Sequence, residues 1–140
     1  MATSINWKGK QVLEQVGENV AAALGEFGLR AEGYAKKELR KGHGVLTGTL
    51  RRSIHTAGPD YNWAGDDVKP GPGTPERGGK LVRARRRGKR ITLQLGSGLR
   101  YALPVHQGHH SFAGYHFLTI GVDKAKGELD EVLRKHRLVK

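Results

Sequence analysis

The chain has 140 residues, no cysteine and a net charge of +12, from 25 lysines and arginines against 13 acidic residues. One ordinary domain fits that length. The missing thiols exclude a disulfide scaffold, a thiolate metal site and a cysteine nucleophile. Hydrophobic residues at 36% and aromatic ones at 6% make a lean core, which gains stability from burial against neighbours. The positive excess attracts polyanions, nucleic acid or an acidic protein.

Residues 1–8, Met-Ala-Thr-Ser-Ile-Asn-Trp-Lys, hold no signal-peptide stretch, and no apolar run approaches the ~20 residues that span a bilayer. The expectation is a protein with no membrane contact, made in the cytosol and used there or in particles assembled there. From 11 to 41, Val12, Val16, Val20, Leu24, Phe27, Ala31, Tyr34 and Ala35 recur at three- and four-residue steps and predict a long helix. Gly17, Gly25, Gly28 and Gly33 interrupt it, each costing about 1 kcal/mol against alanine. The helix is therefore expected to bend, to split, or to receive a close neighbour on a glycine. Lys36, Lys37, Arg40 and Lys41 are expected in its last turns, and Gly42 and Gly44 as its stop.

Residues 49–56 read as a strand, or an extended turn into one. Residues 57–79 are dominated by Pro59, Pro70, Gly71, Pro72, Gly73, Pro75, Gly78 and Gly79 and read as a long loop. Residues 81–96 read as a β-hairpin, with Ile91, Leu93 and Leu95 alternating on the return arm. Tyr101 to Val105 read as a strand with Pro104 at an edge or an end. Val122 to His136 read as a second helix, with Val122, Ala125, Leu129, Val132 and Leu133 on its apolar face. The sum is a single α+β domain over 1–140: a small antiparallel β-sheet packed by a long N-terminal helix and a C-terminal helix, with 57–90 as a long basic loop and hairpin arm.

Few residues point to chemistry. His106, His109, His110 and His116 cluster in sequence, but their spacing matches no metal signature and no carboxylate lies between Arg100 and Val122. Neither a metal nor a cofactor is expected. Leu95-Gly96-Ser97-Gly98-Leu99 departs from the Gly-x-Ser-x-Gly nucleophile elbow at its first flanking position. The acidic residues of the middle, Asp60, Asp66, Asp67 and Glu76, sit in the long loop, a poor platform for acid–base work. No catalytic residue is assigned, and an enzyme is not expected. The strongest feature is the basic run Arg83, Arg85, Arg86, Arg87, Lys89 and Arg90. On a strand, Arg83, Arg85 and Arg87 share one face, which must meet water, phosphate or an acidic partner. No aromatic residue interleaves the run, which argues against base stacking. Contact with DNA would go to the backbone and read no sequence.

Two stretches carry a resemblance. Val45-Leu46-Thr47-Gly48-Thr49-Leu50-Arg51-Arg52-Ser53-Ile54 follows the long helix with its terminal lysines. Leu95-Gly96-Ser97, Tyr101-Ala102, Val105-His106-Gln107-Gly108 and Phe117-Leu118 come later, before the closing helix. In order and spacing they resemble the gene-product-ten-like family of long-tailed bacteriophage neck proteins, also described as head–tail joining or tail-completion proteins. That family has a Thr-Gly-x-Leu-Arg-x-Ser-Ile element after its first helix. A Gly-Ser-x-x-x-Tyr-Ala strand, an acidic-glycine turn and a Phe-Leu pair follow. The resemblance spans residues 11 to 136. The matching positions are Thr47, Gly48, Leu50, Arg51, Ser53, Ile54, Tyr101, Ala102, Gly108, Phe117 and Leu118, with fold-defining roles. Gly48 permits a tight turn, Leu50 and Ile54 anchor their segment on the core, and Phe117 and Leu118 pin the entry of the last helix. The chain departs from the pattern at Gln107, where the family often has Glu, and in the long basic region 57–90.

The resemblance implies a structural virion protein, assembled in the host cytoplasm as a six-fold or twelve-fold homo-oligomeric ring at the head–tail interface. Its partners would be other neck and tail proteins and duplex DNA in the channel. A tail terminator that caps the tube and a free nucleic-acid-binding module are the competing expectations. The basic run would make the electrostatic contact, and 57–90 would reach out as an arm.

Overall fold

Thr3, Ile5 and Trp7 alternate with Ser4, Asn6 and Lys8 at the N-terminus, and in the computed structural model this stretch forms strand β1 (Ala2–Lys8). The structure describes residues 2–8, 10–41, 44–45, 48–66, 75–87, 90–99, 102–108 and 114–138. Helix α1 (Lys10–Glu38) follows as one unbroken element. It stops short of the expected end, so Arg40 and Lys41 form β2 (Arg40–Lys41), beside β3 (Gly44–Val45), and only Lys36 and Lys37 remain in the last turn. Next come α2 (Thr49–Ser53), β4 (His55–Ala57) and a 3₁₀ turn at Trp63–Asp66. The hairpin strands are β5 (Arg85–Arg87) and β6 (Arg90–Gly96), and α3 (Ala102–Gln107), α4 (Phe117–Lys126) and α5 (Leu129–Lys135) complete the chain. The class is α+β.

Three of the expected elements take another form. Residues 49–53 are helical, with strand only from His55 to Ala57. The Arg52 N–H bonds the Gly48 carbonyl at 3.0 Å to close the turn. Leu50 and Ile54, one helical turn apart, both enter the core. The strand expected at 101–105 is α3, which buries Ala102 and His106 at four-residue spacing. Pro104 fits because it lies in the first turn, whose N–H groups have no intrahelical partner. The last helix begins earlier, at Phe117, and breaks in two around Gly127, where the Gly127 N–H bonds Lys124 O and the Glu128 N–H bonds Ala125 O. The break lets α5 turn onto α1, where Arg30 meets Glu128 at 2.9 Å and Glu131 at 3.2 Å, and Lys135 meets Glu26 at 2.6 Å.

Strand β6 is the spine of the main sheet. β1 pairs antiparallel along it from Ala2 opposite Gly96 to Lys8 opposite Arg90. Its other edge is shared: β4 takes Gly96 to Gln94 and β5 takes Thr92 to Arg90, both antiparallel. β4 and β5 are therefore two halves of one edge, interrupted by the excursion from residue 58 to 84. Ile91, Leu93 and Leu95 point inward and are at most 1% exposed. They meet the α1 stripe of Val20, Leu24, Phe27 and Ala31 in one core with Leu50, Ile54, Phe117 and Leu118. Each valine, leucine, isoleucine or phenylalanine among them, fully buried, contributes about 1.5–3 kcal/mol.

Two glycines explain how the layers approach. Gly28 lies directly on the Leu93 side chain, leaving no room for a Cβ. A Cβ on Gly121 of α4 would stand 2.6 Å from Ala31 O and 2.8 Å from Ala35 N of α1. Gly33 has no such role, since a Cβ there meets nothing within 4 Å. Gly33→Ala is expected to raise stability by about 0.5–1 kcal/mol, through helix propensity and a less disordered unfolded chain. The check is the urea midpoint, which should rise with an unchanged slope.

The described part of the 57–90 region is laid along α1 instead of projecting from it. Lys36 Nζ meets Glu76 at 2.7 Å and donates to the Arg77 carbonyl. The Gly79 N–H donates to Glu32 at 2.7 Å, Val82 O lies over Gly25, and the Ala84 N–H donates to Ala21 O at 3.3 Å. Contacts that descend from Lys36 to Ala21 while the chain climbs from 76 to 84 define a strap antiparallel to the helix. Residues 67–74, in the middle of the expected arm, lie outside the described residues. No described helix is long and apolar enough to cross a membrane.

Candidate electrostatic contact surface

α1 covers one face of the sheet, and strand alternation puts the polar positions on the other. On β6 the outward positions are Arg90, Thr92 and Gln94. Residues opposite one another in register share a face. In the backbone register Lys8 and Arg87 lie opposite Arg90, and Asn6 and Arg85 lie opposite Thr92. Arg85 and Arg90 are exposed. Arg83 is also exposed but precedes β5, so it does not continue the strand's period. Arg86 pairs with Ile91 and falls in the alternate row. Lys89 lies outside the described residues. Of the predicted run, Arg85 and Arg90 are exposed on the sheet, and the register sets Arg87 and also Lys8 opposite Arg90, a juxtaposition that only pairing across the sheet could reveal.

The loop after β4 walls off the other end of this face. Gln94 Nε2 donates to Gly58 O at 3.0 Å and Pro59 O at 2.8 Å, and Gln94 Oε1 accepts from Trp63 Nε1 at 3.0 Å. His55, Tyr61 and Trp63 pack on one another with ring centroids 4.8–5.2 Å apart. A Cβ on Gly58 would be 3.8 Å from Arg85 Cδ, so the wall abuts the basic rows. Below it, Arg77 Nη2 donates to Asp66 O at 3.0 Å, and the fully buried Asp66 carboxylate stands 3.5 Å from Arg77 Nη1 and 3.8 Å from His55 Nε2.

The strap is fastened by a buried carboxylate. Glu32 is 2% exposed and accepts from the Thr56 N–H at 3.1 Å and from the Gly79 N–H. Lys36 lies 3.9 Å away. Burial raises the Glu32 pKa above its ordinary value, against the opposing pull of the Gly79 and Thr56 N–H groups and Lys36.

The two stretches that carry the family resemblance meet in the core. Gly48 supplies a left-handed turn at φ +80°. Ser53 Oγ donates to Leu50 O at 2.7 Å and lies 2.6 Å from Ser97 Oγ, which accepts the Leu99 N–H at 3.1 Å. Leu50, Ile54, Ala102, Phe117 and Leu118 are all buried in the same cluster, Arg51 is exposed, and Gly108 is left-handed at φ +90°. Thr47 and Tyr101 lie outside the described residues. Ser53 and Ser97 are fully buried, and His55 directs Nδ1 to Ser53 O and Nε2 toward Asp66.

His106 packs its ring edge-to-face on His116 at 5.4 Å and Phe117 at 5.1 Å, with Nε2 3.4 Å from Thr119 Oγ1. Burial, and then the neighbouring His116, lower its pKa below the ordinary histidine value. His109 and His110 lie outside the described residues. Among the described residues no three histidine or acidic side chains converge on a metal position. Comparison of the chain with protein-family models, with curated proteins and with solved structures finds no match.

Proposed function

We propose that the chain is a structural virion protein of the phage neck, forming a ring at the head–tail interface that completes the tail or joins it to the DNA-filled head. The observation that carries this reading is the meeting of the two family-like stretches. Ser53 of the first lies 2.6 Å from Ser97 of the second, over a core shared by Leu50, Ile54, Ala102, Phe117 and Leu118. Their convergence supports a shared architecture, and the neck role follows from it by analogy. A ring of head-to-tail contacts closes when each copy presents two different surfaces. The reading assigns no catalytic residue and no cofactor.

The test is electron microscopy of a lysate from the encoding phage with this reading frame deleted. Full heads beside finished tails of normal length are the expected result. Overlong tails would make the chain a terminator instead, and intact infectious virions would overturn the neck reading.

A further inference from the structure

We propose that α5 is an electrostatic latch: charge holds it on α1, and it undocks as a unit about Gly127 when its ion pairs are screened, while α4 stays in place. The inference goes beyond the neck reading and does not rest on it.

The pairs run in complementary order. Glu26 and Arg30 stand one turn apart on α1 and meet each other at 3.4 Å. Across from them, Glu128 and Glu131 open the closing segment, and Lys135 and His136 end it. Its acidic end lies on Arg30, at 2.9 Å for Glu128 and 3.2 Å for Glu131. Its basic end lies on Glu26, at 2.6 Å for Lys135 and 3.7 Å for His136. α5 thus runs antiparallel to this part of α1, with acid set against base at both ends. Burial raises the Glu26 pKa, but Lys135, Arg30 and His136 together carry it below the ordinary glutamate value, and the Arg30 hydrogen bond lowers that of Glu131.

Different forces fasten α4 and α5. α4 buries Phe117, Leu118, Gly121 and Ala125, with Gly121 so close to α1 that a Cβ would stand 2.6 Å from Ala31 O. In α5 Val132 alone is buried, and Leu129 packs half-buried against the core. The paired side chains are partly exposed, from 12% for Glu26 to 69% for Glu131. Salt weakens such pairs, because the Debye length falls from about 10 Å at 0.1 M to about 3 Å at 1 M. Apolar packing is not screened in this way. The docked state also leaves Glu128 Oε2 and His136 Nε2 buried without a hydrogen bond, a cost that undocking relieves. The joint is suited to part. Gly127 is exposed, and a Cβ on it would meet one atom, Lys124 O, at 3.3 Å. Opening frees Glu26 and Arg30 for the charges of a neighbour, which compete with α5 as salt does.

The experiment is amide hydrogen exchange of the full chain, followed by NMR at neutral pH in about 0.1 M and about 1 M sodium chloride. A helix of 7 residues does not persist alone in water, so undocking is read as lost protection. Protection of the amides from Val132 to His136 should fall roughly tenfold at the higher salt. Protection in α4 and β6 should change by less than about twofold. Arg30→Gln strips both pairs of the acidic end. At the lower salt it should already expose α5 to the same degree, and it should respond little to more salt. Lys80→Gln removes one charge from the exposed part of the strap and should leave α5 as in wild type. Unchanged β6 protection shows that both variants fold. Loss of α4 and α5 protection together, in salt or in Arg30→Gln, would overturn the proposal. So would α5 protection that salt leaves unchanged or raises, or an Arg30→Gln chain that keeps wild-type protection.

Discussion

Glu32→Ala is expected to destabilise the chain by about 2–3 kcal/mol and to release the strap from α1. The substitution strips the acceptor from two backbone donors, Thr56 N–H and Gly79 N–H, the first of them in the core. A hydrogen bond to a charged group is worth about 1.5–3 kcal/mol, and an orphaned buried donor adds its own desolvation penalty. Relief from burying the carboxylate offsets part of this, and Lys36 keeps Glu76, so the loss stays below that of a stranded buried charge. Limited proteolysis should then cut between residues 75 and 84 at a rate the wild type resists. Glu32→Gln adds a pH test. The folded pKa is raised above the ordinary glutamate value of 4.5, so the folded state holds the proton more tightly than the unfolded one. Its contribution is therefore greatest below 4.5 and is lost as pH rises through the raised folded value. The wild type should show that decline in denaturant midpoint, and Glu32→Gln should lack it.

Phe117→Ala is expected to cost more, about 3–5 kcal/mol, as a fully buried aromatic truncated where the surroundings only partly collapse. Phe117 opens α4 directly after His116, which sits in the left-handed region at φ +49°, so the ring anchors a helix that begins without a side-chain cap. Phe117→Leu should recover most of the loss, because it restores apolar volume at the same place. The second readout is His106, whose ring packs on Phe117 at 5.1 Å. Removing the ring admits water and should move the His106 pKa up toward 6.5, followed by an NMR titration of the imidazole protons. A large loss of stability with an unmoved His106 would contradict the packing described.

Much of the fold is legible in the residues, and the misreadings have physical causes. α1 shows its stripe because one face meets both sheet and α4. Leu50 and Ile54 carry a helical spacing that an alternation reading of 49–56 passes over. Tyr101 to Val105 is a short apolar run, for which periodicity alone does not separate strand from helix. β1 is visible in the alternation of Ile5 and Trp7 with Asn6 and Lys8. The strap is a different case. It is held by the Arg77 carbonyl, the Gly79 and Ala84 N–H groups and the backbone of Val82, which every residue possesses and no composition displays. Its side-chain signals are Glu32, a carboxylate at helical spacing within the apolar stripe beside Ala31 and Ala35, and Lys36 one turn on, which pairs with Glu76. In the contact surface, the arginine run is plain, but the register that sets Arg86 opposite the buried Ile91 is not. Lys8 joins them from the far end of the chain through pairing that no local pattern announces.

The most direct test of the joining role is complementation. Purified full-length chain is added to a lysate of the encoding phage with this reading frame deleted, and infectious titre and particle images are followed over time. The neck reading predicts that titre rises as separate heads and normal-length tails are converted into joined virions. An unchanged titre with heads and tails still apart, under conditions where wild-type lysate assembles, would contradict it.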